Sequence, residues 1–276
     1  MKLRAAARAF DKTPVVDAYD GTIYGKGQFD LYDDSRRDAY GVDRRILSTD
    51  PSVSVPSRRV IRTDSDVWLV GEFQSDFWRG KELRHKYVVH QAVGLATIRT
   101  LGERVRGASG FTAYASEAWV KDAKRIEDTA LSASLFDLFF SSAETISVPA
   151  LITLGSDEFL ATSKHVTSGG FHVLRCERLE WNAVTTATLK RVVYDPRLDV
   201  EAETEVEVDV IDLPHQALYE MRSVAALEHQ IGDRVLVFAD TLGIEAGDRL
   251  DVSGRPLQAL SAEVWADAQV VLARPQ

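Results

Sequence analysis

Acidic and β-branched residues alternate with a period of two along Glu203-Thr204-Glu205-Val206-Glu207-Val208-Asp209-Val210-Ile211. Only an extended strand places all of those valines on one face and the carboxylates on the other, because successive Cβ atoms of a strand point to opposite sides. Segments of related character recur at Val53 to Arg62, Val67 to Phe73, Lys86 to Thr100, Ile146 to Leu154, Glu158 to Val166 and Phe171 to Leu179. Each is bounded by Asp, Ser or Gly, the residues that turn a chain, and is rich in residues that suit a pleated surface. The pattern predicts an all-β protein of two or three small barrel- or sandwich-like units, with an N-terminal arm and little helix. The expected divisions are a loop-rich arm and lead-in over 1–50, a β region over 51–182 and a second β region over 183–276.

Local chemistry places the turns. Residues 11–50 carry Asp20-Gly21, Gly25-Lys26-Gly27 and Asp33-Asp34-Ser35, which read as a loop-heavy lead-in around short apolar pieces. Thr167-Ser168-Gly169-Gly170 joins two strands as a hairpin, since glycine accepts positive φ. Pro196 cannot donate a ladder hydrogen bond, so Asp195-Pro196 belongs in a turn. Ser132 to Ser142, with Leu135, Phe136, Leu138, Phe139 and Phe140, fits either a short helix or a covered strand. Strand-turn-strand echoes connect Val55-Pro56 with Asp64 to Val70, Val148-Pro149 with Gly155 to Ala161, and the Gly247 to Leu260 hairpin. Common turn chemistry and internal duplication account for them equally well.

Composition narrows the function classes. At 276 residues and 45% apolar content the chain can bury ordinary cores. A formal charge of -9 argues against a general nucleic-acid binder, which needs clustered cations to displace counterions from phosphates. Cys176 is the single cysteine, which excludes an intrachain disulfide and cysteine-based zinc sites and fits synthesis in the cytosol. Met1 to Phe10 lacks the apolar core of a signal peptide, and no window approaches the roughly 20 apolar residues of a membrane helix. No membrane partner is expected.

No constellation of reactive groups converges. His85 and His90 are five apart, which on a strand puts them on opposite faces; His165 and His172 flank the Gly169-Gly170 turn and are the one plausible pair, yet two imidazoles make a weak metal site. Asp30, Asp33, Asp34, Asp38 and Asp43 match no calcium-loop spacing, and Arg36, Arg37, Arg44 and Arg45 neutralise much of their charge. There is no Gly-x-Ser-x-Gly elbow, no phosphate loop and no dinucleotide fingerprint, and Cys176 lies in an alternating strand where it packs. The expectation is a protein that is not an enzyme, with no catalytic, cofactor-binding or metal residues and no cofactor. Trp68 reads as core. Phe77-Trp78, in a polar stretch before Arg79-Gly80-Lys81, reads as the exposed aromatic pair, suited to an interface or to stacking on a sugar.

Gly247-Asp248-Arg249-Leu250-Asp251-Val252-Ser253-Gly254, with its returning apolar strand and the terminal Val264 to Leu272 strand, resembles the C-terminal hairpin of small β-barrel head-tail joining proteins (neck or connector proteins) of tailed bacteriophages. Arg58 to Gly71, ending in Val67-Trp68-Leu69-Val70-Gly71, is similar again. The chain departs from that family in being longer than its single-barrel members and in carrying the loop-rich first fifty residues. The resemblance implies a structural virion protein made in the host cytoplasm, a ring-forming neck or tail component joining head to tail. Its partners would be copies of itself and portal or tail proteins, with DNA passing through the ring without specific binding. An acidic lumen repels DNA and lets it slide. Met1 to Asp50 and the loop Phe77 to Arg84 are the expected contact regions. The alternative is a carbohydrate-binding or glycan-cleaving β protein, using Trp78 and a carboxylate pair.

Overall fold

The computed structural model describes residues 13–31, 44–64, 66–119, 135–167, 169–179, 184–195, 197, 200–213, 232–239, 242–265 and 267–276. Among them the chain is all-β, with one helix of five residues. The first six strands are β1 (Thr13–Asp17), β2 (Ile23–Leu31), β3 (Arg44–Thr49), β4 (Val60–Arg62), β5 (Val67–Trp78) and β6 (Lys81–Gln91). Six more follow: β7 (Gly94–Arg99), β8 (Phe111–Trp119), β9 (Leu135–Ser141), β10 (Ala150–Leu154), β11 (Asp157–Val166) and β12 (Phe171–Leu179), with helix α1 (Leu101–Val105) after β7. The last six are β13 (Val184–Asp195), β14 (Val200–Leu213), β15 (Arg234–Phe238), β16 (Arg249–Val252), β17 (Arg255–Trp265) and β18 (Ala268–Pro275).

Each set of six closes on itself, and all three close in the same way. Strands one to three form a meander, strands four to six form another, and the seams join third to sixth and first to fourth. Exchanging the two meanders leaves that connectivity unchanged. Closure pairs edge strands that would otherwise present unsatisfied backbone groups. The three strand-turn-strand echoes of the sequence fall on β4–β5, β10–β11 and β16–β17, the fourth and fifth strands of each ring.

The interiors are filled by alternate residues. Val15, Leu47, Ile61, Trp68, Val70, Tyr87 and Val89 pack inside the first ring. Leu189, Val210, Leu236, Phe238, Leu250, Leu257 and Val271 pack inside the third. Each large apolar side chain so buried contributes about 1.5–3 kcal/mol. Trp68 is core, as its place in a strand implies. The Ser132 to Ser142 ambiguity resolves into strand β9. Its Phe136, Leu138 and Phe140 alternate with Asp137 and Phe139, and all five are buried because both faces are covered.

The expected lead-in over 11–50 instead supplies three strands of the first ring, β1 to β3. Gly25 and Gly27, which read as turn residues, lie within β2. A Cβ on Gly25 would meet Val53 Cγ2 at 2.8 Å, and one on Gly27 would meet Leu47 Cδ1 at 2.5 Å, so these glycines admit neighbouring side chains rather than reverse the chain. The turn itself is Ala18 to Thr22, organised by buried Asp17. Its carboxylate accepts from Tyr24 Oη at 2.7 Å and from the backbone N–H groups of Tyr19 and Asp20. Burial opposes its ionisation, and those hydrogen bonds outweigh burial and hold its carboxyl below the usual carboxylate range. The part of the expected arm before residue 13 lies outside the described residues.

The chain separates into two compact units, one of Met1–Thr97, Thr112–Val148 and Thr153–Arg178, the other of Ile98–Phe111, Pro149–Ile152 and Leu179–Gln276. Within the first unit, Val60 and Leu69 of the first ring pack on Phe139, Phe171 and Val173 of the second. His90 stacks against Phe139 and Phe171 at centroid distances of 5.0 and 4.3 Å. The backbone joins too: Glu72 N–H donates to Gly169 O at 2.8 Å, and Ser141 Oγ donates to Arg58 O. Within the second unit, α1 lies against β14 and β15. Thr100 and Glu103 form a reciprocal capping box at its start. Asp267 adds a clamp, accepting from Thr100 Oγ1 at 2.8 Å and Gly102 N and pairing with Arg106 at 2.7 Å.

Candidate functional site

Two hairpins outrun the rings that carry them. In the first ring β4 pairs with β5 only as far as Leu69, and β3 pairs with β6 only over His85 to His90. The end of the hairpin, Asp76 to Trp78 with Lys81 to Arg84, is therefore a two-stranded ribbon among the described residues. Residues Phe77 to Arg84, expected as a loop, are thus strand ends around a tight Arg79-Gly80 turn. Both turn residues have positive φ, 51° and 72°. A register shift between Asp76 and Phe77 twists the tip.

The tip carries cations and apolar surface together. Asp76 pairs with Arg84 at 2.8 Å and Lys86 at 3.0 Å, and these two cations hold its carboxyl below the ordinary range. Arg79 and Lys81 are exposed beyond them. Phe77 is 63% exposed, Phe73 and Leu83 less so. Phe73 meets His85 edge-on at 4.7 Å and lies 5.5 Å from Tyr87. Phe77 is thus the exposed aromatic that the sequence suggests, and its neighbour Trp78 has a side chain outside the described set.

The second overrun is in the third ring. Strand β16 accompanies β13 over Ala187 to Lys190, and β15 accompanies β14 over Val210 to Leu213. Among the described residues Arg191 to Asp195 pair with Val200 to Thr204 alone, a ribbon of about 17 Å at the usual strand rise. The alternation of Glu203 to Ile211 holds as a strand; Val210 and Ile211 are buried and Val208 is partly buried against the core of the ring. Val206 is 49% exposed where β14 has run past the stretch that β15 accompanies. On the other face Glu205 pairs with Lys190 at 2.7 Å, and that contact raises the Lys190 pKa. Glu203, Glu207 and Asp209 are exposed without an ion-pair partner among the described residues. Arg191, the other nearby cation, is turned to Asp248 and to the carbonyls of Leu242 and Gly243.

Groups that suggested chemistry stand apart from one another. His85 Nδ1 lies 3.0 Å from Val53 O while His90 stacks against the second ring, so the two lie on opposite faces as their spacing requires. Thr167 N–H donates to Phe171 O at 2.9 Å, which sets those residues opposite each other and places His165 on the face opposite to His172. The pairing of His165 with His172 across their turn is thereby corrected. Burial and then the Lys164 charge lower the His172 pKa. Cys176 is buried, and burial pushes its thiol far up. Of the acidic run, Asp30 accepts from Gln28 Nε2 at 2.8 Å, and the other four aspartates lie outside the described residues.

Glu82 lies 3.3 Å from His85 Nε2 and also accepts from Ser75 Oγ. That puts the carboxylate, not the imidazole, between the other two groups, the reverse of what activates a serine. Among the described residues no group of three or more His, Cys, Asp or Glu side chains is placed to share a metal ion. A cleft of about 200 Å³ beside α1, lined by Val105, Arg106, Val208, Asp209, Phe238, Ala239 and Leu242, is smaller than a typical small-molecule site. No helix of the described residues is long and apolar enough to cross a membrane.

Sequence reasoning found the tip at Phe77 and missed the β13–β14 overrun. Its signal is length, since Val200–Leu213 has 14 residues where a strand commonly has about 5–6. No family model, curated protein or solved structure matches the chain.

Proposed function

We propose that the chain is a non-enzymatic structural subunit that works by docking to copies of itself and to neighbours. The particular assembly is a ring in the neck or tail of a tailed bacteriophage, around the DNA channel. The observation that carries the assembly reading is the pair of two-stranded ribbons outrunning their rings. An isolated two-stranded ribbon is marginal in water, so residues that hold one in a solvated position suit contact with another surface. The closed rings supply rigid bodies that present those ribbons, and the exposed Phe77 and Val206 supply apolar surface of the kind that interfaces bury. The phage assignment rests on the likeness of the Gly247 to Leu260 hairpin, and the net charge of -9 accords with a conduit along which DNA slides.

Light scattering of the purified full chain over a hundredfold concentration range tests the assembly reading, and electron microscopy of the largest species tests the ring. The expected result is a concentration-dependent closed oligomer that also joins purified portal or tail rings. A chain that stays monomeric throughout, or one that binds glycan arrays through Trp78, overturns the reading.

A further inference from the structure

We infer that the two projecting hairpins are partners of one another across neighbouring copies: the tip of β5–β6 on one subunit seats against the exposed carboxylate face of β14 on the next. This deepens, and rests on, the assembly reading. The occupant is a second copy of this chain, and charge complementarity identifies it. From Phe73 to Lys86 the tip carries Arg79, Lys81, Arg84 and Lys86 against Asp76 and Glu82. The β14 segment carries Glu203, Glu205, Glu207 and Asp209, of which only Glu205 has an ion-pair partner among the described residues, Lys190. A protein with this overall acidity concentrates cations on a protruding tip, and that tip finds its complement on the carboxylate face of β14.

Phe77 and Leu83 are exposed on the tip, so contact with the carboxylate face of β14 covers apolar tip surface while the ion pairs set orientation; Val206 lies on the other face of β14 and takes no part. Two different patches in contact make a heterologous interface, the kind that generates a ring when its rotation closes and a filament when it does not. Opposed charges of this sort act mainly on encounter rate and register, with strong screening by salt.

Charge exchange tests the inference. One double variant, Arg79→Glu with Lys81→Glu, makes the tip acidic; the other, Glu203→Lys with Glu207→Lys, makes the β14 face basic. Each alone is expected to weaken self-association at least tenfold in light scattering at 50 mM NaCl, with an unchanged far-ultraviolet spectrum. An equimolar mixture of the two restores oligomers, because each altered surface then meets a complementary one on the other variant. The quadruple variant restores them in a single chain. If the wild type assembles and either double variant assembles equally well, or if mixing restores nothing, this contact is wrong while the assembly reading stands. If the wild type never assembles, both fall together.

Discussion

Glu177 shows how a residue is set by what covers it. It occupies strand β12 opposite Leu135, is 9% exposed, and its carboxyl is pushed up to about 7 by burial. Because the folded pKa lies above the ordinary value of 4.5, the unfolded chain releases its proton first as pH rises. Stability therefore falls between about pH 4.5 and 7 and levels off above, by an amount on the order of 3 kcal/mol. Glu177→Gln should melt higher than the wild type at pH 8 and equal it at pH 4 in paired thermal scans. A difference that stays constant with pH would refute this account. Its neighbour Asp137 is also buried, but it pairs with Arg175 directly across the strands at 3.0 Å. Nothing in the strings Phe136-Asp137-Leu138 and Cys176-Glu177-Arg178 separates them, because a partner across a ladder is invisible along one strand.

At the scale of elements, strand character was legible wherever period-two alternation was long, as in β14, and turns were legible from Gly, Asp and Pro. Helix α1 was missed, since Lys86 to Thr100 read as a strand and the five residues after it are too few to show a period. What holds so short a helix is capping and the Asp267 clamp. Burial of Asp267 opposes its ionisation, but Thr100, Gly102 N–H and Arg106 outweigh burial and hold its carboxyl below the ordinary range. Its stabilising effect is thus present above the unfolded carboxyl pKa and is lost as pH falls through the folded one. Asp267→Ala should cost on the order of 2 kcal/mol at pH 7 by urea denaturation, and markedly less at pH 2. Equal losses at both pH values would mean that packing rather than the charged clamp holds the helix.

For the whole molecule, three rings of one connectivity, with echoes at the same strand pair in each, make the repeated strand-turn-strand pattern a property of architecture and not of turns alone. The first two rings dock where backbone meets backbone. A Cβ on Gly71 would lie 2.6 Å from Gly169 O and 2.8 Å from the Phe171 ring, so Gly71→Ala should destabilise the chain by about 1–3 kcal/mol. Thermal melting checks the loss, and hydrogen exchange should quicken at Phe171; unaltered exchange there would show that the rings part elsewhere. The sequence by itself determined that the chain is made of strands, where most of them turn, and that no disulfide joins them, because side-chain alternation, glycine and a lone cysteine are local facts. The tertiary structure alone decided which strands close each ring, as when Val16 meets Arg62 and Thr49 meets His85. It alone decided how far β5–β6 and β13–β14 project past their neighbours. Closure and projection depend on partners distant along the chain, and the period of one strand carries no record of where its neighbour ends.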